Sequence, residues 1–408
     1  MDYFKILPEE ITLDILTRLP TESVLDSKLV CTNWRSIISD HPSFSKMHLY
    51  HLNHPSDSAS DDYGKLGFLA FTYDTRHNKI FYYIEYNENR DESTTPIQRI
   101  RRIKFTPPIE RIGFVGSCNG LICLVQGPFV WIWNPITKEY LMLPKIKRDC
   151  QIGRYRFWTT QFGYVSSTNE YKVLGIYKYE TKYIKVYVYT LGSGNGWRKL
   201  GKFCFESRNY WAQFVFVDGA LYWLDEELKR IITFDLAKEK FCEDISPPPL
   251  PPDHDWHDSR LRVLNGVLSF AICLDVEGDE FYDIWLLKKK DDSHDKKGKV
   301  ENQSMGWSKG FRVGNSKLLA ITKRNGVLAF VRDCLNIYGT ITCTSKSLVK
   351  FKNCLLQVTP HKNTLVLLKE LGEEDTKRME SVDIEEANEH DYPFKQPQED
   401  ASPEYVYL

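Results

Sequence analysis

The sequence predicts a small all-α module of three helices followed by an all-β domain, a β-propeller of about six blades. Three observations predict it. The first stretch, to Tyr50, carries apolar residues at helical spacing between proline stops. From Lys65 onward the texture changes to short aromatic and β-branched runs, broken at intervals of roughly 8–12 residues by Gly, Asn-Gly or Asp-Gly. Pieces of that second stretch repeat at one or two multiples of about 50 residues, the size of a four-stranded blade.

The helices come first. Pro8 fits the first position of a helix, and Glu9 and Glu10 follow where carboxylates face the positive end of the helix dipole. Ile11, Ile15, Leu16 and Leu19 recur at helical spacing until Leu19-Pro20 ends the segment. Thr21 is placed to cap a second helix carrying Val24, Leu25 and Leu29. Thr32 is placed to cap a third, with Trp34, Ile37 and Ile38 on one face, before His41-Pro42 stops it. A unit this small buries too little surface to stand alone, yet it holds more Ile, Leu, Val and Trp than three short helices can hide among themselves. Two readings of the surplus stay open on spacing alone. It packs on the rest of this chain, or it docks as a helix surface in the groove of another protein.

The module is assigned to residues 1–50 and a linker to 51–64, because His54 to Asp62 is small, polar and acidic and cannot build a core. The β-domain is assigned to 65–371. Its strand-like runs include Lys79 to Ile84, Tyr183 to Tyr189 and Ala212 to Val217. Asn119-Gly120, Asp218-Gly219, Asn265-Gly266 and Asn325-Gly326 each set a turn dipeptide before an apolar strand. Trp133-Asn134-Pro135 leads to Tyr140 as Phe234-Asp235-Leu236 leads to Phe241, and Gly196-Trp197 echoes Gly306-Trp307. Blades stacked in this way leave only short protected edges. Leu355 to Val358 or Thr364 to Leu367 is expected to complete the sheet begun near Phe68. A pair of β-sandwiches is the competing architecture. The acidic remainder, 372–408, reads as a disordered tail.

Bulk properties narrow the function. The chain has 408 residues, 42% hydrophobic and 27% charged, with net charge −1. No overall field draws it to nucleic acid or a membrane, and the two signs are interspersed through the body. The start shows no secretory signal pattern and no apolar run approaches the ~20 residues of a spanning helix, so cytosol or nucleus is the expected compartment. The ten cysteines include no Cys-x-x-Cys pair and read as small buried hydrophobes.

The helical segment resembles a known motif. Leu7-Pro8-Glu9-Glu10-Ile11, Ile15-Leu16, Arg18-Leu19-Pro20, Val24-Leu25, Val30-Cys31, Trp34-Arg35, Ile38 and Pro42-Ser43-Phe44 are similar, in register, to the F-box. The β-rich part resembles the F-box-associated domain of plant F-box proteins, including its kelch-like variants. The matching pieces are Gly116 to Leu121, Trp133-Asn134-Pro135, Phe162-Gly163-Tyr164, Glu170 to Val173, Asp218-Gly219, Asp283-Ile284-Trp285 and Pro360-His361. Asp26-Ser27-Lys28 departs from the motif, where relatives often place a more apolar or basic run. The resemblance implies a substrate-receptor subunit of an SCF-type (Skp–cullin–F-box) ubiquitin ligase. It would dock on a Skp-type adaptor, and through it a cullin and a RING subunit, and hold a target protein the sequence does not name. By position the implied adaptor contacts are Leu7, Pro8, Ile11, Ile15, Leu16, Leu19, Pro20, Val24, Leu25, Val30, Cys31 and Trp34.

Chemistry is sparse. His254-Asp255-Trp256-His257 follows a proline run and reads as an exposed connection, since no further metal ligands are nominated. Gly192 to Gly196 reads as a hairpin turn, not a phosphate loop, because it opens no helix. Lys288 to Lys299 reads as a solvated loop. No catalytic group, cofactor or metal is expected. Two rival functions remain at this level: an adaptor-bound scaffold acting outside degradation, and a carbohydrate-binding propeller.

Overall fold

A computed structural model describes residues 7–54, 65–73, 79–89, 96–104, 112–146, 157–180, 183–204, 214–225, 229–250, 259–276, 279–289, 305–314, 316–323, 326–339, 345–352, 354–379 and 383–386. Four helices open it: α1 (Glu9–Thr17), α2 (Thr21–Ser27), α3 (Thr32–Asp40) and α4 (Phe44–Asn53). The three-helix expectation is thus one helix short. Phe44, His48 and Leu49 supply a buried face to α4, which runs past residue 50 into the stretch assigned to the linker. Periodicity missed it because His48, a polar residue, occupies one of the inward positions.

Six antiparallel sheets follow, and the architecture is a six-bladed β-propeller. Blade 1 holds β1 (Lys65–Tyr73), β2 (Lys79–Asn87) and β3 (Ile97–Lys104); blade 2 holds β4 (Gly113–Cys118), β5 (Leu121–Gln126), β6 (Phe129–Trp133) and β7 (Glu139–Met142). Blade 3 is β8 (Phe157–Val165), β9 (Glu170–Glu180), β10 (Tyr183–Thr190) and β11 (Arg198–Cys204). Blade 4 is β12 (Val215–Val217), β13 (Ala220–Asp225), β14 (Arg230–Asp235) and β15 (Lys240–Phe241). Blade 5 is β16 (Ser259–Leu264), β17 (Val267–Val276), β18 (Asp279–Lys289) and β19 (Met305–Gly314). Blade 6 is β20 (Lys317–Ile321), β21 (Gly326–Val331), β22 (Cys334–Gly339) and β23 (Ser345–Lys350).

Three more strands lie beyond the sixth blade: β24 (Cys354–Pro360), β25 (Lys377–Arg378) and β26 (Asp383–Glu386). Of the two segments expected to complete the first sheet, β24 does so by pairing beside β1. The tail assigned from 372 onward is corrected in its first part. β25 pairs with β7, and β26 pairs with β3, so each adds a fifth strand to its sheet. Composition misread this stretch because its order comes from pairing with distant strands, not from a core of its own.

The repeats noticed in the sequence have geometric counterparts. Asn119 and Gly120 (φ 44° and 82°), Asp218 and Gly219 (44° and 76°) and Asn265 and Gly266 (49° and 75°) each place two residues at positive φ between the first two strands of a blade. That is the twist a tight hairpin demands, and Asn, Asp and Gly tolerate it best. Asn325 of the fourth dipeptide lies outside the described residues, as do His254 to His257, most of the Lys288 to Lys299 run and Cys343. Trp133 stands opposite Tyr140, and Phe234 opposite Phe241, so the seven-residue echo is one cross-strand aromatic pair used twice. The Gly-Trp echo is one hydrogen bond used twice. The Trp197 indole donates to the Pro144 carbonyl (2.6 Å), and the Trp307 indole donates to that of Ser246 (2.8 Å). In both cases a tryptophan just before or near the start of a blade's fourth strand reaches the chain just after the preceding blade's fourth strand.

The chain divides into two compact units. One comprises Met1–Cys150, Val188–Arg198 and Leu355–Ala387; the other comprises Gln151–Tyr187, Lys199–Cys354 and Asn388–Leu408. In the second, apolar clusters join neighbouring blades, one around Phe270 and Ile231 and another around Ile284 and Val327. In the first, Leu69, Phe71 and Phe81 of blade 1 pack with Ile122, Leu124 and Trp133 of blade 2, and Met379 enters the same cluster. Cys123 is fully buried, as read from sequence, but Cys31, Cys204 and Cys354 are exposed, so the reading of all ten as buried hydrophobes is corrected.

The segment from His361 to Glu373 ties the first unit together. Asn134, completely buried, donates to the carbonyls of Thr364 (3.1 Å) and Val366 (2.8 Å) and accepts from the Ile136 amide (2.9 Å). The Thr364 hydroxyl donates to the Asn119 carbonyl, and the Leu368 amide donates to Glu139. Asn134→Leu would leave two buried carbonyls and an amide without partners. It is expected to lower stability by about 3 kcal/mol in urea unfolding, with the far-ultraviolet spectrum unchanged.

Candidate docking face

The helices divide their apolar residues between two destinations. Leu16, Val24, Ile37, Ile38 and Phe44 form a buried cluster that includes Leu365 of the C-terminal segment, with Leu13, Leu19, Leu25, Trp34 and Ile136 packed partly against it. Leu7, Ile11 and Ile15 lie four residues apart along one stripe of α1 and its approach, and they stay 37%, 49% and 40% exposed. Leu29 and Val30, in the turn after α2, are 77% and 65% exposed. Pro8 and Cys31 are exposed beside them.

The twelve residues nominated from sequence therefore fall into three groups. Leu7, Pro8, Ile11, Ile15, Val30 and Cys31 lie on the surface, and Leu19, Pro20, Leu25 and Trp34 are half-buried. Leu16 and Val24 are wholly interior, at 0% exposure, and in this structure offer no surface to a partner. Periodicity cannot separate the groups, because a short helix packed on one side and docking on another carries apolar residues on both faces. The sequence expectation places Leu29 on the second helix, but it sits beyond the end of α2 at Ser27, just after Asp26-Ser27-Lys28, where the sequence departs from the F-box pattern.

Local bonds set the frame of this face. Arg18 forms a two-pronged pair with Asp14 one turn away (2.9–3.0 Å), which holds the Asp14 carboxyl below the usual carboxylate range. Cys31, not Thr32, caps α3, its sulfur accepting from the Trp34 amide at 3.4 Å. Arg35 reaches back to the Lys28 carbonyl (3.1 Å) and closes the turn that displays Leu29 and Val30. His48, at 0% exposure, donates from Nε2 to the Leu19 carbonyl (2.9 Å) and so ties α4 to the end of α1. Burial drives the His48 pKa down to about 4.

The module is not carried on its linker alone. The Thr21 hydroxyl, read from sequence as a cap, donates to the Asn363 carbonyl (2.7 Å), and Asn363 Nδ2 donates to Glu22 (2.7 Å). Lys362 donates to the Leu52 carbonyl (2.8 Å) at the end of α4, and the Ser45 hydroxyl bonds to Glu370. His361 extends this chain of bonds into the sheets. Its Nε2 donates to Asn363 Oδ1 (3.1 Å), and its Nδ1 accepts from the Ser117 hydroxyl (2.7 Å). Ser117, His361, Asn363 and Glu22 thus form one line from β4 to α2. A serine beside a histidine invites comparison with a nucleophile and its base. His361 is only 5% exposed, however, and burial holds its pKa down to about 4, so the line braces the fold. Among the described residues there is no group of three or more metal-ligating side chains, and no helix is long and apolar enough to cross a membrane.

Comparison with known proteins agrees with this layout. Residues 68–313 match the F-box associated beta propeller domain, and residues 4–49 match the F-box-like family. An F-box protein of Arabidopsis thaliana is 28% identical over 315 residues, covering 69% of each chain. An F-box/kelch-repeat protein of the same plant is 24% identical over 298 residues, covering 69% of this chain and 66% of its own.

Proposed function

The chain belongs to the F-box associated β-propeller family, and on that premise we propose that it is the substrate-receptor subunit of an SCF-type ubiquitin ligase. One observation carries the reading. After α1 to α4 have buried one side against Leu365 and Ile136, an apolar strip of Leu7, Ile11, Ile15, Leu29 and Val30 still faces water. Fully burying such a side chain gains roughly 1.5–3 kcal/mol, and the exposed fraction of each keeps a proportionate share of that, so the strip favours an apolar partner surface. The proposed partner is a Skp-type adaptor, which links the receptor to a cullin and a RING subunit. The propeller then holds a target protein near the transferred ubiquitin, and proximity replaces a slow bimolecular encounter. No side chain of this chain touches the transferred bond.

The test uses the exposed stripe alone. Ile11→Glu with Ile15→Glu is expected to weaken capture by a purified Skp-type adaptor at least about 100-fold. Both side chains are exposed, so thermal unfolding should stay near that of the parent. Adaptor binding that survives both substitutions would overturn the proposal. Leu16→Glu is the contrasting variant and is expected to unfold the helices, because Leu16 lies in the interior.

A further inference from the structure

We propose that blades 5 and 6 form a binding site for a phosphate monoester between their first strands, β16 and β20, built from Arg260, Arg262, Ser269 and Ser316. Register places the first three. In the antiparallel pair of β16 with β17, Arg260 stands opposite Ala271 and Arg262 opposite Ser269. Opposed residues, and residues two apart, share one face of a sheet, so both arginines and the serine lie on the face that holds Ala271. Ala271 packs in one apolar cluster with Leu318, Val327 and Ala329 of blade 6, so that face is the one turned towards blade 6. The fourth residue comes from the other blade. Asn265, just after β16, clamps Ile321 at the end of β20. Its side chain donates to the Ile321 carbonyl (2.5 Å) and accepts from the Ile321 amide (2.9 Å). Blades 5 and 6 each begin with an edge strand and continue in chain order, so β16 and β20 run in the same direction. Counting back five residues from each side of the clamp brings Ser316 level with Arg260. Ser316 lies two residues before Leu318, on the side of the chain that faces the cluster.

The chemistry of these four residues calls for an anion. Two arginines on adjacent same-face positions of one strand repel each other, and a negative group between them relieves the repulsion. Burial first, and Arg260 second, hold the Arg262 guanidinium below its ordinary pKa, with Tyr282 acting the other way. The hydroxyls are a separate signal. Ser269 is 1% exposed, and its Oγ, like that of Ser316, is buried with no hydrogen-bond partner among the described residues. A buried hydroxyl without a partner is unfavourable, and an oxyanion can accept from it. Arg260 and Arg262 each donate through Nη1 to the carbonyl just before them, those of Ser259 (2.8 Å) and Leu261 (3.1 Å), which lays both side chains along the strand. A guanidinium carries five N–H donors, so one held by a carbonyl can still present a two-pronged fork to an oxyanion. Cationic forks and hydroxyl donors from two sides suit a tetrahedral dianion better than a planar carboxylate. The arginines are half-buried and Ser269 is interior, so the phosphoryl end enters first and the rest of the molecule stays outside. A free phosphate monoester and a phosphorylated side chain present that same group.

The test is titration calorimetry of the full chain at low ionic strength with inorganic phosphate, O-phosphoserine, a short peptide carrying one phosphoserine, and acetate. The parent chain is expected to bind phosphate and O-phosphoserine at least about tenfold tighter than acetate. Arg260→Gln with Arg262→Gln should weaken phosphate binding at least about tenfold. Lys309→Gln, which removes a cation of the outer strand β19 that pairs with Asp283, should leave it within about twofold. If the double variant fails to fold by circular dichroism, Arg260→Lys and Ser269→Ala take its place. The first keeps the charge and loses the fork, the second loses one hydroxyl, and each should weaken binding at least about threefold. The proposal holds whether or not the peptide binds. A peptide bound as tightly as O-phosphoserine assigns the group to a phosphorylated protein, and failure of the peptide alone assigns it to a small metabolite. Absence of phosphate binding by the parent chain at millimolar concentration sinks the proposal, as do equal binding of phosphate and acetate and an equal loss in Lys309→Gln. No helix residue takes part, so the outcome is separate from that of adaptor capture.

Discussion

Gly192→Ala is expected to lower stability by more than about 4 kcal/mol, whereas Gly194→Ala, two residues on, should lose only about 1–2 kcal/mol. The two glycines share a turn and nearly the same backbone, with φ of 73° and 69°. An L side chain is strained equally at both. They differ in what stands over them. A β-carbon on Gly194 meets nothing within 4 Å, while one on Gly192 would sit 1.4 Å from the Leu371 carbonyl oxygen. That neighbour is backbone and cannot rotate away. The Gly192 amide also donates to Glu373 (2.7 Å), whose carboxylate accepts from the Tyr189 hydroxyl as well. Burial and the nearby carboxylate push the Tyr189 hydroxyl pKa up, which keeps it a donor. Displacing Leu371 therefore also breaks the latch at Glu373. Denaturant unfolding of the two variants side by side measures the difference. A loss at position 192 no larger than at 194 would show that the C-terminal segment is not seated on this turn.

Stability is expected to fall steeply as pH drops from about 6.5 towards 4, because two buried histidines resist protonation in the folded chain. His48 and His361 both have their pKa lowered to about 4 from an ordinary 6.5, chiefly by burial. Above pH 7 both imidazoles are neutral whether the chain is folded or unfolded, and they add no pH dependence. Below 6.5 the unfolded chain takes up a proton on each, and the folded chain does not until about 4. The unfolded state then binds more protons, so stability falls with falling pH, by about 3 kcal/mol for each histidine at pH 4. The geometry gives the cause. His48 Nδ1 is buried without a hydrogen-bond partner among the described residues, so a proton there would place an unpaired charge in the core. At His361 both ring nitrogens are engaged, and the neutral ring satisfies both neighbours. His48→Gln with His361→Gln should flatten the stability measured by urea unfolding against pH by about 2.3 kcal/mol per pH unit between pH 6 and 4.5. An unchanged slope would mean that neither ring stays neutral in the folded chain.

The glycine prediction and the His361 half of the pH prediction concern the C-terminal segment, the part of the fold hardest to see in the sequence. The blades were legible because their signals are local. Asn119-Gly120, Asp218-Gly219 and Asn265-Gly266 specify positive φ wherever they occur, and the aromatic echoes mark cross-strand partners only a few residues apart. The segment from His361 to Glu373 carries no such signal. Its order comes from Asn134, Asn119, Glu139 and Gly192, at least 181 positions away for each bond they form with it. The docking face was legible in part for a related reason. Helical spacing identified the apolar residues of α1 correctly, yet Ile15 and Leu16 are neighbours with opposite fates, one 40% exposed and the other at 0%.

Local sequence signals dictate the two-part architecture, the blade repeat and the set of apolar residues from which any docking face is drawn. Those follow from periodicity, turn chemistry and composition, which act over a few residues. Which of those residues stay outside is set by long-range packing, since it depends on Leu365 and Ile136 arriving from elsewhere in the chain to cover the rest. Long-range contact also decides that an acidic run after residue 372 becomes two strands, because β3 and β7 present edges that need partners. Burial and strand pairing are properties of what the chain meets when folded, and no local pattern encodes the far side of a contact.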